Sequence, residues 1–183
     1  GTMDYITGNF SRVSTLAIRA LPYMNQDFKA QIRRLTEIHK AHIDSSATEN
    51  PFGVPITRGG WAGNGTVMSH AIANYYLYKA FPDIMEKEDV YAGLNYLYGC
   101  HPAHNISFVS GVGVRSKKVA YGMNRADYAY IPGGIVPGVL VLPPDFPENK
   151  EDWPFLWGEN EYVIPMAPAY IFLVHAVQDL LNE

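Results

Sequence analysis

Apolar residues recur at steps of three and four in several stretches of the chain, separated by segments rich in glycine and proline. The first such stretch, residues 10–21, predicts a helix with Asn9 or Ser11 at its start and Pro22 at its stop. Asn25 then caps a second helix, in which Phe28, Ile32, Leu35, Ile38, His42 and Ile43 form the apolar stripe. Arg33, Arg34, Glu37 and Lys40 decorate its other side, so one face is expected to be buried. Residues 66–81 are apolar nearly all round, which predicts an inner helix of a layered bundle, with Asn64 or Thr66 as its cap and Pro82 as its end. The acids at 86–89 suit a helix N-terminus, and the helix that follows runs through Tyr91, Leu94 and Leu97 to Gly99. Pro165 opens a closing helix through Leu173, Val177 and Leu181, proline being well tolerated in a first turn.

The segments between these helices are long. Residues 45–65 hold Pro51, Gly53, Pro55, Gly59, Gly60, Gly63 and Gly65, which is loop chemistry. Residues 106–114 are β-branched and punctuated by glycine, so they form a short strand or an extended loop. From there to Trp157 the chain shows little helical period, and irregular connections of such length usually carry function. The pattern predicts an all-α single domain over residues 1–183, built of helical hairpins with function on the loop side. Gly1, ahead of the first methionine at Met3, reads as an expression scar.

Composition narrows the function. The chain has 183 residues, 48% hydrophobic and 17% charged, a globular balance. The net charge of −4 and the lack of a basic stripe argue against nucleic acid, and the apolar runs are too short or interrupted to span a membrane. Cys100 is the single cysteine, so no internal disulfide forms. His39 and His42 share a helix at a spacing of three, and Cys100, His101 and His104 make a C-H-x-x-H run, but neither set has the further ligands a metal site needs. No metal or cofactor is expected.

Residues 151–161, E-D-W-P-F-L-W-G-E-N-E, place Glu151, Asp152, Glu159 and Glu161 close to Trp153 and Trp157. A carboxyl walled by indole is desolvated, which favours its neutral, proton-donating form, and a flat indole stacks on the apolar face of a sugar ring. The same stretch also reads as an acidic surface loop whose Trp side chains plug a core edge.

Residues 91–113 settle the direction. They read Y-A-G-L-N-Y-L-Y-G-C-H-P-A-H-N-I-S-F-V-S-G-V-G. Tyr96 or Tyr98, Gly99, Pro102, Ser107, Phe108, Val109, Gly111 and Gly113 carry a resemblance to the Y-x-x-x-x-Y-x-L-G-x-N-P-x-x-x-S-[FY]-V-x-G-[FY]-G stretch of glycoside hydrolase family 9. That family comprises endoglucanases and related β-glucan-cleaving enzymes. The N-P-F-G-V-P…W-A-G-N-G segment at 50–65 resembles a second family stretch, and Asn160-Glu161 before a closing helix resembles the family's N-E motif.

The resemblance implies part of an (α/α)6 toroid, its C-terminal portion, with a substrate groove across the loops. It implies inverting hydrolysis in which Glu161 is the general acid, with Glu159 its nearest rival. Arg125 and Asn124 take the place of the family's sugar-contacting group, and Trp61, Trp157 and Tyr128 are stacking candidates. The family's general base lies in a D-x-x-D stretch, and no such pair occurs in this chain. The base is therefore expected from a missing N-terminal half of the toroid or from a second chain. The isolated chain is expected to be inactive. By resemblance, secretion or a periplasmic location is favoured. Pro165 stands where the family carries an aspartate, so sugar contacts from that segment are not carried over. Two alternatives remain: a non-catalytic carbohydrate-binding or scaffold fragment, and an unrelated toroid enzyme such as a lyase using His101, Tyr121 and Arg125.

Overall fold

The computed structural model describes residues 1–56, 63–102, 105–117, 130–138, 144–146 and 160–183. Helix α1 spans Thr2–Gly8 and α2 spans Phe10–Ala20, followed by a 3-10 turn at Leu21–Tyr23. Helix α3 covers Gln26–Ala47, α4 Gly63–Ala80, α5 Glu88–Leu97 and α6 Met166–Leu181. Between α5 and α6, β1 (Ile106–Ser107) and β2 (Arg115–Ser116) pair in parallel, Ile106 opposite Arg115. No described helix is long and apolar enough to cross a membrane.

Helix α3 begins where its sequence says it should. The Asn25 side chain accepts the Phe28 amide at 2.9 Å, satisfying one of the amides a first helical turn leaves unpaired. Its buried stripe differs from the pattern read in the sequence. Phe28, Ile32, Leu35, Thr36 and His39 face inward, while Ile38 is 57% exposed and His42 lies at the surface. The stripe can turn toward Thr36 and His39 because both polar groups are satisfied inside. The Thr36 hydroxyl donates to the Ile32 carbonyl at 2.9 Å, and His39 Nε2 meets Asn74 Oδ1 at 3.0 Å.

Helix α4 is central and packs against α2, α5 and α6. It starts at Gly63, ahead of the expected cap residues. The Gly63 and Asn64 amides donate to the carbonyls of Gly138 and Pro137 at 2.6 and 2.7 Å, so a distant loop performs the capping. Asn64 itself is buried inside the first turn and its side-chain Nδ2 donates to the Val136 carbonyl at 2.7 Å.

Two clusters share the core. One gathers Val67, Met68, Leu94, Leu97, Phe108, Val109 and Val136 with Leu173 and Leu180, joining α4, α5, α6 and the β1 region. The other gathers Phe10, Phe28, Ile32, Leu35, Leu77 and Met85, joining α2, α3 and α4. Helix α4 is not buried all round. Thr66, Ser69, Ile72 and Tyr76 form a face that the other described elements leave partly open.

Candidate active site

The motif that follows α5 is a tight, core-bound turn. Gly99 has φ of +81°, and a β-carbon there would sit 2.5 Å from the Ile106 carbonyl carbon, so the chain passes too close for any side chain. Ser107 is buried. Its hydroxyl accepts the Val109 amide at 3.0 Å, while the Phe108 amide donates to the Leu97 carbonyl at 2.8 Å. Phe108 and Val109 are fully buried, and the Val136 amide donates to the Phe108 carbonyl at 3.0 Å. The 107–113 turn is thus fastened on one side to α5 and on the other to residues 133–136, which lead directly into the Pro137 and Gly138 carbonyls that cap α4.

The N-P-F-G segment docks on the same turn. Asn50 folds it by donating to the Val54 carbonyl at 2.6 Å and accepting the Phe52 amide at 3.0 Å. The Phe52 ring then packs edge-on against Tyr96, His101 and Phe146, with centroids 5.7, 5.1 and 5.3 Å away. The two segments that resembled one family in sequence are therefore in contact.

His101 sits in this aromatic cluster at 3% exposure, and its Nε2–H donates to the Tyr96 carbonyl at 2.7 Å. That places it in the core and removes it as the accessible base of a lyase. Cys100, next to it, is exposed. His39 and His42 point to different environments, one buried and one at the surface. Among the described residues no group of three His, Cys, Asp or Glu side chains could hold a metal ion.

Glu161 lies on the short arm that enters α6. Asn160 before it is fully buried, Glu161 is half-buried, and the arm turns into the helix through a Met166 amide bond to the Val163 carbonyl at 3.0 Å. Among the described residues, no hydrogen bond or ion pair engages the Glu161 carboxyl. Tyr162, the next residue, reaches the 107–113 turn: its hydroxyl is 2.6 Å from Ser110 Oγ and accepts the Ile131 amide at 3.2 Å. Nothing in the local pattern signals this link beyond a tyrosine beside the acid. Glu159, Arg125, Asn124, Trp61, Trp157 and Tyr128 fall outside the described residues, as do Tyr121 and His104.

A cleft of about 830 Å³ opens beside the arm, between the N-terminal halves of α2, α4 and α6. Arg12, Thr15, Ser69, His70, Val163 and Met166 are among its lining residues. Beneath His70 runs a polar seam. The rings of His70 and His39 stack with centroids 6.1 Å apart, and Asn74 bridges His39 to the Asp89 carbonyl at 3.0 Å. Burial pushes His70 down to about 4, helped by the neighbouring His39 and His42. Burial also lowers His39, opposed by its Asn74 hydrogen bond. Lys40 closes the seam with 2.8 Å contacts to Asp44 and Asp89. Burial pulls its ammonium down, but the bonds to Asp44 and Asp89 outweigh that and hold it above the ordinary lysine value.

No protein-family model matches the chain, and no curated protein matches it in sequence. Solved structures do match. The chain superposes on the glycoside hydrolase family 9 endoglucanase J30, solved as a zinc-binding triple mutant, with a TM-score of 0.68 and 19% identity over 90% of this chain and 33% of that one. It matches AaCel9A, solved with a cellobiose-like isofagomine, with a TM-score of 0.66 and 16% identity over 85% of this chain and 33% of that one. The catalytic domain of Clostridium thermocellum CelT gives a TM-score of 0.59 and 16% identity over 88% of this chain and 37% of that one. The chain thus has the fold of part of the family 9 helical toroid, and it spans about a third of the length of the chains it matches.

Proposed function

We propose that this chain is the proton-donating part of an inverting glycoside hydrolase that acts on a β-glucan or a related polysaccharide. The observation that carries the reading is the placement of Glu161. It is half-buried, and no described group engages its carboxyl. It lies on an arm held against the motif turn, beside an open cleft, in a chain with the family 9 fold. The proposed role of that carboxyl is to donate its proton to the leaving oxygen. Arg125 and Asn124 would bind sugar hydroxyls, with Trp61, Trp157 and Tyr128 as stacking surfaces.

Inversion also needs a carboxylate across the scissile bond to activate water. No D-x-x-D pair occurs in the chain, so the base comes from the missing N-terminal half of the toroid or a second chain. The open cleft between α2, α4 and α6, and the exposed Leu16, Ile171 and Phe172 on α2 and α6, support a partner for these helices.

The test is hydrolysis of soluble β-glucan oligosaccharides by the full polypeptide. Glu161→Gln is expected to lower turnover by ~10²–10⁴-fold without loss of folding, the usual worth of a positioned acid. Unchanged turnover removes Glu161 from the role and leaves Glu159 next in line.

A second reading is a non-catalytic carbohydrate-binding or scaffold fragment. The missing base and Pro165 in place of the family's aspartate favour it. Binding of oligosaccharide with no hydrolysis by the full polypeptide would establish it.

A further inference from the structure

We propose that Tyr162 is a positioning residue for Glu161, holding the acid's arm through a hydroxyl relay. The proposal rests on the proton-donor reading of Glu161.

The direction of the relay follows from counting protons. Ser110 has one hydroxyl proton, and it is spent on the Lys117 carbonyl at 2.8 Å. Ser110 Oγ can therefore only accept from Tyr162, 2.6 Å away. The Tyr162 oxygen in turn accepts the Ile131 amide at 3.2 Å. The chain runs from the Ile131 N–H through the two hydroxyls to the Lys117 carbonyl, and every donor has one acceptor. Ser110 is itself immovable. It is 1% exposed, its amide donates to the Gly134 carbonyl at 2.9 Å, and its carbonyl accepts the Gly133 amide at 2.7 Å.

The ring is held as well as the hydroxyl. A β-carbon at Gly134 would lie 2.7 Å from Tyr162 Cε1, so the bare glycine leaves the slot the ring occupies. Three segments remote in sequence thus meet on one side chain: the motif turn, the 131–134 turn and the arm of the acid. Both hydroxyls stand at positions that the family pattern leaves open, the x of S-[FY]-V-x-G and the residue after N-E. Behind them stands Pro165, where the family carries an aspartate. The relay supplies here a tether for an arm whose following segment has departed from the pattern. Because Tyr162 is the residue next to Glu161, fixing its ring fixes the backbone from which the carboxyl projects.

The test compares Tyr162→Phe, Ser110→Ala and the double variant in the full polypeptide, with Glu161→Gln alongside. Tyr162→Phe is expected to lower kcat by ~10–100-fold with KM within about twofold, as a small misplacement of a catalytic group does. The double variant is expected to lose less than the product of the two single losses, since both changes break the shared Ser110–Tyr162 bond. An unchanged kcat in Tyr162→Phe, a loss that falls on KM instead, or losses that multiply, would overturn the proposal. Turnover retained in Glu161→Gln sinks the proton-donor reading instead. In that case hydrogen exchange at the Ile131 amide still judges the relay: faster exchange in Tyr162→Phe sustains it, and unchanged exchange refutes it.

Discussion

The two sides of α4 are built on opposite principles. Toward α3 and α5 runs a seam of matched polar pairs: His39 with Asn74, Asn74 with the Asp89 carbonyl, and Lys40 with Asp89. Toward α2 and α6 the helix presents Thr66, Ser69 and Ile72 to an open cleft, and the same two helices carry exposed apolar side chains, Leu16 at 66% and Ile171 at 57%. A monomer does not usually leave apolar side chains exposed beside a cleft of this size unless something covers it or binds in it. The closed side is finished architecture. On the proposed reading the open side is where a partner would complete the site, and Val163 and Pro165 of the Glu161 arm stand at its edge.

Changes on the closed side should therefore cost stability, and changes on the open side should cost association. The largest expected effect is Leu77→Ala, where a fully buried side chain packs among Phe10, Phe28, Ile32 and Leu35. A loss of ~2–5 kcal/mol in denaturant unfolding is expected from the cavity left between α2, α3 and α4. A loss under ~1 kcal/mol would mean that this side is looser than its contacts indicate.

Acid comes next. His39 and His70 are both lowered in the folded chain, chiefly by burial, so the native state prefers them neutral. Stability from this source is complete above the ordinary histidine range near ~6.5 and is lost as pH falls through it toward the folded value. With His70 held at about 4, the loss by that pH is on the order of 2–3 kcal/mol. His42 adds to the penalty and Asp89 offsets part of it. Stability measured from pH 7 to pH 4 should fall less steeply in His70→Phe than in the parent chain, and identical slopes would show that the stacked pair does not govern the acid response.

Asp89→Asn should cost ~1–2 kcal/mol, because it removes a carboxylate shared by Lys40 and the Glu86 amide. The smallest effect on stability belongs to Leu16→Ser and Ile171→Ser, within ~0.5 kcal/mol each, as expected of exposed positions. Their effect should appear in self-association or in capture of the remaining half of the toroid, followed by light scattering. Equal association with and without the serines would mean that this face has no partner.

Much of this contrast was legible in the sequence where periodicity governs. The helices over 10–20, 26–47 and 166–181 follow from apolar steps of three and four, and the Asn25 cap lies where its chemistry predicts. Helix α1 left no signal, for it buries none of its residues. The stripe of α3 was misread at Ile38 and His42 because pattern alone counts an isoleucine as inward and a threonine as outward. Thr36 and His39 go inside only because the Ile32 carbonyl and Asn74 await them, and those partners are invisible to a local window. The start of α4 was missed for a similar reason, since its capping carbonyls come from residues 137 and 138.

The motif turn was legible through its glycines and serine, and the arm through its Asn-Glu pair. The relay joining them was not, because Ser110 and Tyr162 are 52 residues apart and each is unremarkable alone. His101 shows the reverse case. In sequence it stood beside a cysteine as candidate chemistry, and in the fold it is an aromatic of the core bonded to the Tyr96 carbonyl.

The account turns on Glu161 as a proton donor, and leaving-group chemistry tests that role directly. A glycosidic bond to a sugar needs its oxygen protonated as it departs, whereas a dinitrophenolate leaves without help. In the full polypeptide, Glu161→Gln should lose ~10²–10⁴-fold in kcat on a β-glucan oligosaccharide yet stay within about tenfold of the parent on the dinitrophenyl glycoside. Equal losses on both substrates would contradict the assignment, because a group that matters equally to both leaving groups is not supplying the proton.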